Sequence, residues 1–149
     1  MHSHYGRLAA MAALSFVAMF VLMYAMVDRP AHVHPNLNQV YMAGLMTAPM
    51  VAIEVLLMGA MYRNRTLNVV LIAASVLGSV LLFAAIRQQT AIGDVQFLKS
   101  MIPHHSGAVL MCARASLRDT ELRSLCAAII KNQEDEIARM ELVLRRLAP

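Results

Sequence analysis

The sequence has no tryptophan, few aromatic residues, only two cysteines and little charge. Charged residues make up 15% of the chain, whereas a soluble domain is usually about one-quarter charged, which argues against an ordinary cytosolic enzyme. Two cysteines exclude a framework of several disulfides but allow a single bridge. The net charge is +4, yet there is no basic run and no interleaving of basic with aromatic residues. We therefore expect no nucleic-acid partner.

The apolar residues are concentrated in three long runs, at residues 8–27, 40–61 and 67–86. A helix of about 20 residues crosses a hydrocarbon core of roughly 30 Å, so each run is long enough to span a membrane. The pattern predicts an all-α protein with a membrane region at residues 1–89, in contact with lipid, and a soluble domain at residues 90–149. The first run is longer than the apolar stretch of a secretory signal, which favours a retained anchor.

Arginines in the short flanks of the spans predict the orientation. Arg7, Arg63 and Arg65 flank one side, and Arg29 and Arg87 flank the other. Because cytoplasmic flanks are enriched in Lys and Arg, this distribution favours a cytoplasmic amino end. We expect a bacterial inner-membrane protein whose carboxyl-terminal domain lies in the periplasm.

Methionine is unusually frequent, with 13 residues. In the second span Met46, Met50 and Glu54 follow one another at four-residue intervals, which places them on one stripe of a helix. One interpretation is that methionine fills apolar gaps. The other is a path for Cu(I) across the membrane, because the thioether of methionine is a soft ligand that suits Cu(I). A carboxyl group within a span is costly and favours the functional interpretation.

Histidines occur in pairs outside the spans. His32 and His34 lie in the first loop, and His2 and His4 lie at the amino end. Alternate residues of an extended segment point the same way, so either pair could share one metal ion. The alternative is a solvated polar loop without ligands. His32 and His34 are the stronger secondary metal candidates.

In the carboxyl-terminal region, the spacing of apolar residues predicts two amphipathic helices, at residues 94–117 and 119–147. A short turn joins them and makes them antiparallel. Asp119 is a suitable N-cap for the second helix. In such a hairpin Cys112 faces Cys126, and three states remain open for this pair: a disulfide, two free thiols, or metal-bound thiolates. A two-helix hairpin cannot enclose a core, so we expect a homo-oligomer, a dimer or higher, that completes a four-helix bundle.

Polar residues interrupt the apolar seam of this hairpin and predict a metal site. Imidazole and thioether groups suit copper, Cu(I) or Cu(II), or silver, and a carboxylate admits a harder ion. The alternative is a pair of solvated histidines at a helix start. The candidate ligands are Met101, His104, His105, Met111, Gln133, Glu136 and Met140.

Residues 94–111, DVQFLKSMIPHHSGAVLM, and residues 122–140, LRSLCAAIIKNQEDEIARM, resemble the domain-of-unknown-function 305 family. The motifs are M-I-P-H-H-x-x-A-V-x-M and a later Q-x-x-E-I-x-x-M. That family includes the CopM-like copper- and silver-binding proteins and has a ferritin-like helical fold. The resemblance covers residues 90–148 and implies a copper- or silver-binding half-bundle. Longer members carry two helix pairs, whereas this chain has one.

The leading hypothesis from the sequence is a membrane-anchored protein that sequesters copper or silver or delivers it. A copper-exporting or copper-accepting protein is then its expected partner. The alternatives are a copper transporter and a metal-free structural or assembly subunit. No enzyme is predicted, because the Glu-x-x-His pairs of a di-iron site are missing and no nucleophile is paired with a base in the sequence.

Overall fold

The computed structural model describes residues 2–148, with side chains from residue 4 onward. Within this range the chain is helical and contains no strand, which confirms the predicted all-α class. Two short 3-10 helices, Met23–Met26 and Pro30–His32, lie between the first two α-helices. The α-helices are α1 (His2–Leu22), α2 (Leu37–Leu57), α3 (Arg65–Gln88), α4 (Asp94–Arg114) and α5 (Thr120–Leu147).

Three segments are long and apolar enough to cross a membrane, as the sequence predicts: His4–Met26, Leu37–Leu57 and Arg65–Gln88. The second ends at Leu57 rather than at residue 61, because residues 58–61 form a turn. The proposed pairing of His2 with His4 lies outside the described side chains, since that of His2 is not described.

Helix α2 buries two of its small residues and exposes two of its methionines, Met42 and Met46. Ala43 and Thr47 are buried, and Thr47 Oγ1 lies 3.7 Å from the sulfur of Met19 on α1. Small side chains let helices approach closely in a membrane, which explains their position on this face. Met46 is 45% exposed. Among the described residues, a single chain therefore does not enclose Met46, Met50 and Glu54 in one path.

Glu54 lies near the end of its span rather than at its centre. Helix α2 ends at Leu57, one turn beyond Glu54. The carboxyl group is hydrogen bonded to the hydroxyl of Tyr62, a buried residue in the following loop. A hydrogen-bonded carboxyl group at a helix end is less costly than an isolated one in hydrocarbon.

The chain divides into two compact units. One comprises the residues up to Leu22 together with Asn38–Thr90, and the other comprises Met23–Leu37 together with the residues from Ala91 onward. Residues 23–37, here called the strap, thus belong with the hairpin of α4 and α5. The sequence pattern alone assigns them to the membrane region 1–89.

The hairpin core forms where α4 and α5 run antiparallel. Leu98 and Ile102 of α4 pack with Ile137 and Leu144 of α5, and Met140 lies against this cluster. Asp119 caps α5, since its side chain accepts a hydrogen bond of 2.9 Å from the backbone N–H of Leu122. This cap confirms the predicted start of the second helix.

A second face of α4 is covered by the strap. Pro103 is buried on this face, as are Ser106 and Gly107, which follow it by three and four residues. A Cβ atom added at Gly107 would lie 3.4 Å from the carbonyl oxygen of Met26 in the strap. The small residues therefore let the strap approach the backbone of α4 closely.

Pro103 explains one of the contacts between strap and helix. Proline has no N–H, so the carbonyl oxygen of Lys99, four residues earlier, lacks its helical donor. The side-chain Nδ2 of Asn36 donates a hydrogen bond of 3.2 Å to this oxygen. Asn36 is only 4% exposed, so this bond satisfies a carbonyl group that a helix would otherwise leave unpaired. Helix α4 continues through Pro103 without a break.

We predict that Asn36→Ala destabilises the docked strap and α4 by about 1–3 kcal/mol, because it leaves a buried carbonyl group without a donor. In a Pro103→Ala background the helix regains its own N–H donor at position 103, so the same change has a smaller effect. Native-state hydrogen exchange of the α4 amides measures both effects. The exposed Asn132→Ala is the control, and an equal effect of Asn36→Ala in both backgrounds contradicts this account.

A disulfide joins Cys112 to Cys126, whose Cα atoms are 5.2 Å apart. Of the three states that the sequence leaves open, the structure has the bridge. We predict that denatured, unreduced protein contains no reactive thiol. Replacing both cysteines by serine lowers hairpin stability by about 3 kcal/mol in the chain-entropy model for a loop of this length. Ala113→Ser, an exposed neighbouring change, is the control for thermal unfolding.

Candidate functional site

His105 is the best-oriented of the predicted ligands. It lies on α4, and its side chain is 11% exposed. Its Nδ1 is 2.9 Å from the carbonyl oxygen of Met101, and its Nε2 is 2.7 Å from Oε2 of Glu136 on α5. A carbonyl group only accepts, so Nδ1 carries a hydrogen and donates it to Met101. A further proton therefore lies between Nε2 and the carboxyl group of Glu136.

Glu136 gives this pair access to solvent, because its side chain is 54% exposed. The contact also sets the register of the hairpin. An antiparallel hairpin about the turn at residue 119 predicts that His105 faces Gln133 and that Glu136 lies one step from the residue opposite Met101. The structure instead pairs His105 with Glu136. Met140 of α5 packs against the hairpin core, and Met101 of α4 is partly buried.

His104 lies on a different face from His105. It is exposed, and the centres of the two imidazole rings are 6.0 Å apart in an edge-on arrangement. Adjacent residues on a helix are rotated by about 100°, so both rings cannot point into one seam. Met111 is also exposed, at 55%, and Gln133 is half-buried. The structure thus brings together His105 and Glu136 but not the whole predicted set.

The histidines of the strap have different surroundings. His32 Nδ1 is 2.9 Å from Oγ of Ser106, and His32 Nε2 is 3.8 Å from Oε1 of Glu141. His34 Nε2 is buried and has no hydrogen-bond partner among the described residues. Among the described residues, no group of three His, Cys, Asp or Glu side chains is arranged to hold a metal ion. The structure therefore does not assemble a complete site around His32 and His34.

Ser106 is a residue that sequence reasoning missed. It has no exposed surface, and its Oγ accepts a hydrogen bond of 2.9 Å from the backbone N–H of Asp28 while also contacting His32. Pro103, Ser106 and Gly107 form a stripe of small or ring-closed residues at helical spacing. That stripe is the signal in the sequence that a second segment approaches α4.

Ser106, His32 and Glu141 are in contact in the sequence hydroxyl, imidazole, carboxylate, as in a hydrolytic triad. A nucleophile must be reachable by its substrate, however, and Ser106 is completely buried. We assign these residues to holding the strap rather than to catalysis.

A cavity of about 320 Å³ lies beside these groups, between the strap and the hairpin. Its charges are mixed, and Arg29 forms a 3.3 Å ion pair with Glu134 across it. Both partners are largely exposed, so this pair contributes little to stability. The lining residues are Asp28, Arg29, His32, Val109, Glu134, Ile137, Ala138 and Glu141.

Burial lowers the pKa of His34 below its ordinary value of 6.5. Removing an imidazolium from water is unfavourable, and this desolvation is the largest cause of the shift. The negative charge of Glu141 acts in the opposite direction, whereas Lys99 and His32 lower the pKa further. His34 is therefore suited to remain neutral in the docked strap.

Comparison with known proteins identifies the family. Residues 83–147 match the family described as "Domain of unknown function (DUF305)". The "Uncharacterized protein L153" of Acanthamoeba polyphaga mimivirus is 31% identical over 137 residues, which cover 90% of this chain and 88% of the viral protein. The chain belongs to the DUF305 family. This confirms the family that the motifs at residues 94–111 and 122–140 predict. No solved structure matches the chain.

In this DUF305 chain, Ser106→Ala tests the contact between strap and α4. The change leaves the Asp28 N–H and His32 Nδ1 without their partner in a buried place, so we predict a loss of about 1–3 kcal/mol in the stability of the docked strap. Hydrogen exchange of residues 23–37 measures this loss. Ser116→Ala, in the exposed turn, is the control, and unchanged protection of the strap in Ser106→Ala would refute the assignment.

Proposed function

We propose that the protein is a membrane-anchored copper-binding protein whose hairpin holds the ion at His105 and Glu136. The observation that carries this proposal is the orientation of His105. Histidines that bind metals usually donate their second ring N–H to a carbonyl or carboxylate group, which fixes the ring and directs the other nitrogen at the metal. His105 has this arrangement, with Nδ1 bound to the Met101 carbonyl oxygen and Nε2 directed at a carboxylate.

The chemistry of the neighbouring groups supports copper or silver. Met101 lies one turn before His105, and Met140 lies one turn after Glu136, on facing helices. One imidazole nitrogen, one carboxylate oxygen and two thioethers form a donor set that suits copper, and the thioethers suit silver as well. A bound ion would replace the proton between Nε2 and Oε2, so binding weakens as the pH falls.

The disulfide in the hairpin supports a location of this domain outside the cytoplasm. A disulfide persists in oxidising compartments, and the hairpin contains the bridge between Cys112 and Cys126. The arginine distribution favours the same orientation, with the amino end in the cytoplasm. We therefore propose that the domain faces the periplasm of a bacterial inner membrane and exchanges its ion with a copper-exporting or copper-accepting protein.

The exposed face of α5 supports self-association. Leu122 and Leu125, one turn apart on α5, are 48% and 53% exposed. Two neighbouring exposed apolar side chains support contact with a second copy of the hairpin. A homo-oligomer would bring two hairpins together as a four-helix bundle.

Metal titration of the full-length protein in detergent, purified without chelator or tag, tests the function. We expect one copper ion per chain and at least a tenfold loss of affinity in His105→Ala, since the metal loses its central ligand. His104→Ala is the matched control and should bind like the wild type. Met101→Leu with Met140→Leu keeps the side-chain volume and should weaken Cu(I) and Ag(I) binding selectively. Unchanged copper affinity in His105→Ala would rule out this site.

A metal-free structural or assembly subunit is the second candidate. It is favoured by the hydrogen bonds that already occupy both ring nitrogens of His105. In that case the wild type binds no copper above background, and His105→Ala changes only the stability of the hairpin. The titration and a parallel unfolding measurement separate the two functions.

A further inference from the structure

The strap is attached to α4 at several points along its length. Apart from the contacts of Ser106, the backbone N–H of Leu37 donates a 3.0 Å hydrogen bond to Oε1 of Gln96, and Asn36 bonds the carbonyl oxygen of Lys99. None of these is a covalent connection, and each exchanges for water when the strap leaves. Docking is therefore an equilibrium that one unfavourable group in the strap can shift.

His34 lies in the middle of this attachment. Its carbonyl oxygen accepts hydrogen bonds from the Tyr24 hydroxyl, at 2.8 Å, and from Asn36 Nδ2, at 2.9 Å. These two bonds hold the backbone of the strap in a closed turn beside the helix. The imidazole is held with it, and solvent does not reach its Nε2.

A proton on this ring would introduce a donor and a positive charge with no acceptor for that donor. The charged groups that face His34 are Glu141 on α5, Lys99 on α4 and His32 in the strap itself. Glu141 favours the charged ring, and the two basic residues disfavour it. Burial outweighs the attraction of Glu141, as the lowered pKa of His34 indicates.

The sign of the pH effect follows from linkage. The docked strap holds His34 with a lowered pKa, so it binds fewer protons than the released strap. Docking is then strongest above the ordinary histidine value of about 6.5. As the pH falls below it, the docking equilibrium constant decreases by up to about tenfold per pH unit, until the lowered pKa is reached.

We propose that the strap is a proton-sensitive latch on the DUF305 hairpin, with His34 as the sensor that releases it on acidification. Release uncovers Pro103, Ser106 and Gly107, next to the histidine pair of α4, and opens the cavity beside His32. The latch does not depend on whether the hairpin binds copper.

Hydrogen exchange of the full-length protein in lipid nanodiscs tests the latch between pH 8 and pH 5, after correction for the intrinsic exchange rate. We expect the wild type to lose protection in residues 23–37, and on the Ser106 face of α4, as the pH falls below about 6.5. His34→Gln, which cannot be protonated, should retain protection at pH 5. The exposed His104→Gln is the control and should follow the wild type.

Two outcomes overturn the proposal: protection in the wild type that is independent of pH, or a transition that persists in His34→Gln and disappears in His32→Gln. If His34→Gln already loses protection at pH 8, the variant cannot test the sensor, and the test is made on the wild-type protein instead. Nitrogen-15 NMR of its histidines follows the protonation of His34 directly. Protonation that coincides with loss of protection supports the latch, and protonation without that loss refutes it.

Discussion

The hydrogen bond to the carbonyl oxygen of Lys99 is the contact on which the docking of the strap against the hairpin depends. Pro103 removes its helical donor, and the side chain of Asn36 replaces that donor from a segment 63 residues away in sequence. Such a carbonyl group is poorly tolerated in a buried place without a partner. The proline therefore does more than interrupt a helical hydrogen bond, because it creates a specific binding point for the strap.

Ser106 makes further contacts with the strap about two turns beyond Lys99 on α4. Its hydroxyl group binds the strap backbone at Asp28 and the ring of His32. Together with Gly107, which gives the strap room to approach, these groups convert a two-helix hairpin into a three-layered unit. The strap therefore covers part of the surface that two helices alone would leave exposed.

The contact between strap and hairpin is compatible with three candidate membrane spans. The strap follows the first span, and the hairpin follows the third. Three spans place both segments on the same side of a membrane, whereas two or four would separate them. If all three candidate helices cross, the strap and the hairpin lie on one side, where they can form the hydrogen bonds that join them.

Sequence patterns predicted the features that depend on neighbouring residues. The three apolar runs, the cap at Asp119 and the level of Cys112 with Cys126 follow from helical periodicity and from one short turn. The site was predicted less completely. His105 contacts Glu136 and Met140 packs against the hairpin core. His104 and Met111 are exposed to solvent, and a helical rotation of about 100° separates His104 from the buried His105.

By itself, the sequence determined the helices, the three candidate spans and the family, because these depend on local hydrogen bonding, on apolar length and on a short motif. Only the tertiary structure decided that Glu136 rather than Gln133 meets His105, and that the strap lies on α4. Those contacts join residues 31 to 78 positions apart. Which residues form these contacts depends on side-chain size and on which buried polar groups need partners. Neither property leaves a periodic signal along the chain.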